Sequence, residues 1–229
     1  MEAISLIALS MGVAWASGIN LYAAIFMLGY LGSSGQIVLP AELQVLSDPM
    51  VMMAAAVMYC VEFFADKIPG VDSGWDTLHT FIRIPAGAIL AAGAVAEIGP
   101  AAEITAALLG GTLAAATHTT KAGSRLLINT SPEPVSNWTA SITEDLMVIG
   151  GLWLALNYPL VFVSGLIVFI AGMVWLLPKL WRLLKKLFQL IGSWFGLCKS
   201  PDLSKSALKG DLPDFALSQN PTRPDESER

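Results

Sequence analysis

Glu62 and Asp66 stand four residues apart, on one face of a helical register, with Tyr59 a turn earlier and apolar residues around them. A carboxylate inside a bilayer costs about 2.5–3.5 kcal/mol on insertion scales, so such residues are kept mainly where they line a polar path. A cation or proton site is one reading of the pair. The other is a headgroup-level ion pair in which Asp66 meets Lys67 or Arg83. His118, Lys121 and Arg125 form a cationic stripe at i, i+3 and i+7, and Asn137, Ser141 and Glu144 form a second polar stripe, with Asp145 beside it. Opposite charges inside a helical bundle should pair, because a lone one is expensive. The spacing therefore predicts that Lys121 or Arg125 meets Glu144, Asp145 or Glu62. Such a network could gate a path or relay a coupling ion, or it could lock the cytoplasmic helix ends together. Asn20, beside Gly18 in the middle of an apolar run, is a candidate for a helix break that offers backbone carbonyls to an ion or substrate. An interhelical hydrogen bond is the alternative. The candidate path or gate is thus Asn20, Glu62, Asp66, Lys121, Arg125, Glu144 and Asp145.

Asp72, Asp76 and His79 fall at i, i+4 and i+7 and would share a face if their segment were helical. Carboxylate and imidazole together could hold a divalent metal. The competing reading is a solvated loop helix with Asp72 and Ser73 near its N-terminus. HExxH, paired CxxC and GxxxxGK[ST] are all missing from the sequence, so no named zinc or P-loop motif supports an enzyme or a cofactor. An intramembrane enzyme using His79 or His118 with Asp76 has no spaced nucleophile behind it. Cys60 and Cys198 are too few for a disulfide scaffold.

The elements that must position these residues follow from composition. Of 229 residues, 55% are hydrophobic and 14% charged, and the mean hydropathy is +0.63. Soluble domains carry roughly 25% charged residues, so the chain reads as an integral membrane protein. A pI near 5.0 and a net charge of −5 exclude a nucleic-acid partner. Residues 1–177 hold 12 acids and 4 bases, whereas residues 178–197 hold 4 bases and no acid. Three regions are expected: a transmembrane domain over 1–177, a basic amphipathic interfacial helix over 178–197, and a disordered cytoplasmic tail over 198–229.

The fold expected is all-α and polytopic, with about six transmembrane helices. The first charge-free run covers residues 3–41, interrupted by Ser17-Gly18-Ile19-Asn20. Residues 68–83, with Pro69, Gly70 and Gly74, read as a loop, and residues 126–136, with Pro132 and Pro134, cannot be continuous helix. The fifth span must recruit Asn137 to Asp145 to be long enough. With the N-terminus in the cytoplasm, Lys67, Arg83, Lys121, Arg125 and the basic stretch after Leu177 all fall inside, as the positive-inside rule asks. Both termini are then cytoplasmic, in a bacterial inner membrane. The polar breaks at Ser17–Asn20 and Thr117–Thr120 suggest a 3+3 inverted repeat with interrupted helices, a transporter arrangement. Close packing of small residues is the plainer account.

Three stretches together carry a resemblance. They are Ala16-Ser17-Gly18-Ile19-Asn20-Leu21-Tyr22; Glu62 with Ala65-Asp66-Lys67-Ile68-Pro69 and Asp72-Ser73-Gly74-Trp75-Asp76; and Thr119-Thr120-Lys121-Ala122-Gly123-Ser124-Arg125 with Asn129-Thr130-Ser131-Pro132-Glu133-Pro134, Ser136-Asn137-Trp138 and Glu144-Asp145. Over about residues 6–157 the chain resembles the bacterial membrane family filed as domain of unknown function 4126. The resemblance implies that these polar segments form one shared core. A weaker similarity, in Glu62-Phe63-Phe64-Ala65-Asp66-Lys67, is to the lysine-exporter superfamily of inverted-repeat cation exchangers. The gap here is longer, and the second half has no matching Asp-Lys pair. The expected function is a transporter or permease for a small solute or cation, embedded in the lipid bilayer, with homo-oligomers open. The alternative is a non-transporting scaffold that docks partners through its cytoplasmic loops.

Overall fold

The computed structural model describes residues 3–68, 70–129 and 134–194. They form six α-helices: α1 (Ala3–Ser33), α2 (Pro49–Ala65), α3 (Val71–Gly93), α4 (Pro100–Ile128), α5 (Pro134–Asn157) and α6 (Pro159–Trp194). Short 3-10 helices at Ala41–Ser47 and Ala96–Ile98 join α1 to α2 and α3 to α4. Proline opens four of the six, Pro49, Pro100, Pro134 and Pro159, where its missing N–H costs nothing. The protein is an all-helical polytopic membrane protein. Residues 3–33, 135–157 and 159–186 are each long and apolar enough to cross a bilayer, and α2 with its preceding 3-10 helix makes a bent fourth candidate.

Burial is inverted relative to a water-soluble protein. Arg83 and Arg125 are 0% exposed, while Phe81 is 81% and Val168 is 72% exposed. An apolar surrounding, such as the hydrocarbon of a bilayer, makes that arrangement favourable. α1 is the central element, packed against α2, α3, α4 and α5. Its Trp15 meets Phe162 and Phe169 of α6 edge-on, with ring centroids 6.1 and 6.0 Å apart. Val148, Leu152 and Ala155 of α5 complete that apolar core. Small residues bring backbones close at the α1, α3 and α4 crossings. A Cβ on Gly18 would strike Thr117 Oγ1 and the Ala114 carbonyl, and one on Gly87 would strike Ala114.

Two expectations are corrected. Residues 71–83 are not loop but the first half of α3. Asp72, Asp76, His79 and Arg83 are all buried on one face of it, and Leu78, Phe81 and Ile82 lie exposed on the other. The polar residues that made the segment look solvated point inward. Second, α4 passes through Thr117–Thr120 without a break. The hydroxyls of Thr117, Thr119 and Thr120 donate to the carbonyls four residues back, so these three threonines are satisfied within the helix. The second interruption required by the inverted repeat is therefore missing. Residues 126–136 do not lie in one continuous helix, as expected, since α4 ends at Ile128 and α5 starts at Pro134. α5 does take in Asn137 to Asp145.

Near the C-terminus, α6 continues through Pro178 to Trp194 as one helix. The chain divides into two compact units, residues 1–184 and residues 185–229. In the second, residues 185–194 are helical. The expected tail over 198–229 and Cys198 lie outside the described residues.

Candidate functional site

The site is built on a break in α1. Asn20 has φ −146° and ψ 94°, extended backbone inside an otherwise helical run. Its Oδ1 accepts from the Ala23 N–H at 3.0 Å, the geometry of an N-cap on the helix segment that follows. The break frees the Ile19 carbonyl. Arg83 Nη1 and Lys121 Nζ both donate to it, at 3.1 Å each. A carbonyl offered to a cation was the expectation from sequence, and the cations that take it here belong to the protein itself.

Around this point α2, α3, α4 and α5 contribute a sealed charge network. Arg83 pairs with Glu62 and, at 3.3 Å, with Asp76. Lys121 is the hub: its ammonium lies 2.9 Å from Asp66, 3.4 Å from Glu62, 3.4 Å from Glu144 and 3.8 Å from Asp76. Arg125 grips Glu144 through two parallel bonds, Nε to Oε1 at 3.1 Å and Nη2 to Oε2 at 2.7 Å. This fork-to-fork geometry is the strong form of the contact. Arg125 Nη1 also donates to the Asp66 and Asn137 carbonyls, tying the end of α2 to the start of α5. Asp145 stands slightly apart, its Oδ1 accepting from Asn20 Nδ2 at 2.8 Å. All seven residues of the candidate path thus meet in one cluster.

A second ring holds this core in place. His118 Nε2 is 3.1 Å from the Asp76 carbonyl, which can only accept, so Nε2 carries the proton and Nδ1 is free to accept from Arg83 Nη1 at 3.4 Å. Lys67 donates to the Phe63 carbonyl and to Ser141, over the Phe63 ring. Burial lowers the Lys67 ammonium from its ordinary value, opposed by Asp145 and Asp66.

Asp72, Asp76 and His79 share the buried face of α3 but serve different partners. Asp72 accepts from the Gly70 and Ser73 backbone and from Asn129, and Asn137 donates to Asn129 in turn. Asp76 joins the charge network. His79 bonds the Trp75 carbonyl through Nδ1 and meets the Tyr22 hydroxyl at 3.0 Å, with Trp75 stacked on its ring. Among the described residues, no group of three or more His, Cys, Asp or Glu could hold a metal ion. The metal reading of this triplet is set aside on that geometry.

The sequence reading missed Arg83, assigned to a loop and found fully buried at the centre. Its signal was present: Asp72, Asp76, His79 and Arg83 continue one helical face at i, i+4, i+7 and i+11. Cavities of about 560, 300 and 230 Å³ are lined chiefly by apolar residues, such as Ile7, Met11, Val95 and Leu109 in the first, and none includes Glu62 or Glu144.

Fold and site together define an all-helical multi-pass membrane protein whose ion pairs are enclosed by its own helices. The chain belongs to the family described as Domain of unknown function (DUF4126), whose model matches residues 7–179. No curated protein and no solved structure matches it. The similarity to the lysine-exporter superfamily finds no support in these comparisons.

Proposed function

We propose that the protein is a permease or transporter for a small solute or cation in a bacterial inner membrane, with both termini cytoplasmic. The network around Lys121 is then its gate and coupling device. The observation that carries this reading is the pairing of a buried multi-carboxylate cluster with a helix break at Asn20. A buried ion pair is a poor way to gain stability, because well-packed apolar residues of similar volume often do as well or better. Ionisable residues within the membrane more commonly serve a translocation path, and interrupted helices offer the backbone groups that bind ions there. One ammonium shared among four carboxylates can exchange partners with small movements of α2 or α5. The closed arrangement then corresponds to an occluded state.

The test is ion-driven flux into proteoliposomes under an imposed pH gradient or membrane potential, followed with a pH-sensitive dye and with radiolabelled monovalent cations. Glu62→Gln and Glu144→Gln are expected to reduce flux at least tenfold while each variant stays monodisperse in detergent. Wild-type flux in both variants would remove the assignment of this cluster to the path.

A further inference from the structure

We infer that Asp145 is the proton-carrying carboxyl of this cluster and that its proton state governs the break in α1. The role in coupling rests on the transport reading; the proton site stands on the geometry that follows. Six carboxylates, Glu62, Asp66, Asp72, Asp76, Glu144 and Asp145, face four cations, Lys67, Arg83, Lys121 and Arg125. Glu62, Asp66, Asp76 and Glu144 each lie within ion-pair distance of Lys121, and Asp72 is held by backbone N–H groups and the Asn129 amide.

Asp145 differs from all five. It is 8% exposed and has no Lys or Arg in ion-pair distance among the described residues. Its Oδ1 receives a neutral hydrogen bond from Asn20, the Tyr59 hydroxyl stands beside the carboxyl as a second neutral donor, and Oδ2 has no close partner. The groups that face it are Asn20 from α1, Tyr59 from α2, Asp66 and Lys67 from the turn after α2, and Lys121 from α4. On its own helix, Glu144 is turned to Arg125 and Ser141 to Lys67.

An ionised carboxylate with only neutral donors is costly in this surrounding, and a proton on Oδ2 removes the charge. One free oxygen beside an amide and a phenol is too sparse a cage for a dehydrated metal ion. Loss of the proton breaks the Oδ2–H bond, delivers H⁺ to water and leaves one negative charge next to Asn20. That charge competes with the Ile19 carbonyl and Glu62 for Lys121, which currently bonds both. Drawing Lys121 away would leave the Ile19 carbonyl with Arg83 as its one cationic donor, freeing an acceptor position at the break. Asp145 thereby links proton release to a change in the backbone of α1.

The test uses the full-length chain in lipid nanodiscs, titrated in sodium-free and sodium-containing buffer. Infrared difference spectroscopy follows the carbonyl stretch of protonated carboxyls. A band that disappears as pH rises is expected in the wild type. It should be missing at every pH in Asp145→Asn, return at a shifted frequency in Asp145→Glu, and shift in Asn20→Ala, which removes the bond to Oδ1. A spectrum in Asp145→Asn identical to that of the wild type overturns the proposal, as does a wild-type band that responds to sodium at fixed pH. Should Asp145→Asn fail to fold, Asn20→Ala decides alone, and an unshifted band there overturns it. A wild-type protein with this signature but no flux into proteoliposomes would remove the transport reading and leave the proton site standing.

Discussion

Arg83 shows what each side chain in the cluster contributes. It is fully buried, and its guanidinium bridges Glu62, Asp76 and the Ile19 carbonyl. Arg83→Met keeps much of the volume and removes the charge, leaving two carboxylates short of a partner. Breaking one side of a buried pair costs about 3–5 kcal/mol, so this variant should unfold well below the wild type on thermal denaturation in detergent. Adding Glu62→Gln should recover part of the loss, giving a coupling of about 0.5–3 kcal/mol for groups in one network. Strict additivity of the two substitutions would mean that the pair is energetically idle. Arg83→Lys should not rescue, because a single ammonium cannot span the three acceptors of a planar fork. At this scale Asn20 was readable from the sequence, since a polar cluster in a charge-free run has few explanations. Arg83 was hidden because charged residues flanked by Pro69, Gly70 and Gly74 look like a surface loop when the membrane inverts which face is buried.

Helices succeed or fail here by how closely they approach. α1 can place Ile19 and Asn20 among the side chains of α3 and α4 only because Gly18 lets its backbone lie against α4. An added Cβ at Gly18 would meet Thr117 Oγ1, Thr117 Cβ and the Ala114 carbonyl, and the last of these is backbone and cannot step aside. Gly18→Ala should therefore destabilise the protein by about 1–3 kcal/mol, the range for overpacking a tight site. Gly74→Ala is the control, because a Cβ there meets nothing within 4 Å. Equal melting midpoints for the two variants would show that the α1–α4 crossing is not tight. The sequence marked most helix starts through proline and marked the α1 break through Asn20. It misled at Thr117–Thr120, where hydroxyls folded back onto their own helix imitate the composition of an interruption. No pattern in one strand of sequence separates a threonine that bonds its own backbone from one that bonds a neighbour.

At the scale of the whole molecule, the outer surface points to a bilayer more strongly than any single span does. α3 and α4 fall outside the helices that are apolar enough to cross alone, yet α3 buries Asp72, Asp76 and Arg83, α4 buries Lys121 and Arg125, and the two show Ile89, Ile104 and Leu108 outward. Within the first unit the buried charges of α3 and α4 are met by partners on neighbouring helices before either helix meets lipid. Val168 tests this directly. It is 72% exposed and lies near the middle of the 159–186 span, so Val168→Lys touches little of the protein. In a water-soluble protein such a surface change would be neutral or would aid solubility. In a bilayer a lysine at a helix centre costs about 2.5–3.5 kcal/mol on insertion scales. Val168→Lys should therefore lower the yield of carbonate-resistant, membrane-integrated protein, whereas Val168→Leu should match the wild type. Equal recovery of the lysine variant in the integrated fraction would mean that this face is not turned toward lipid, and the inverted burial would then need a protein partner as its apolar surrounding.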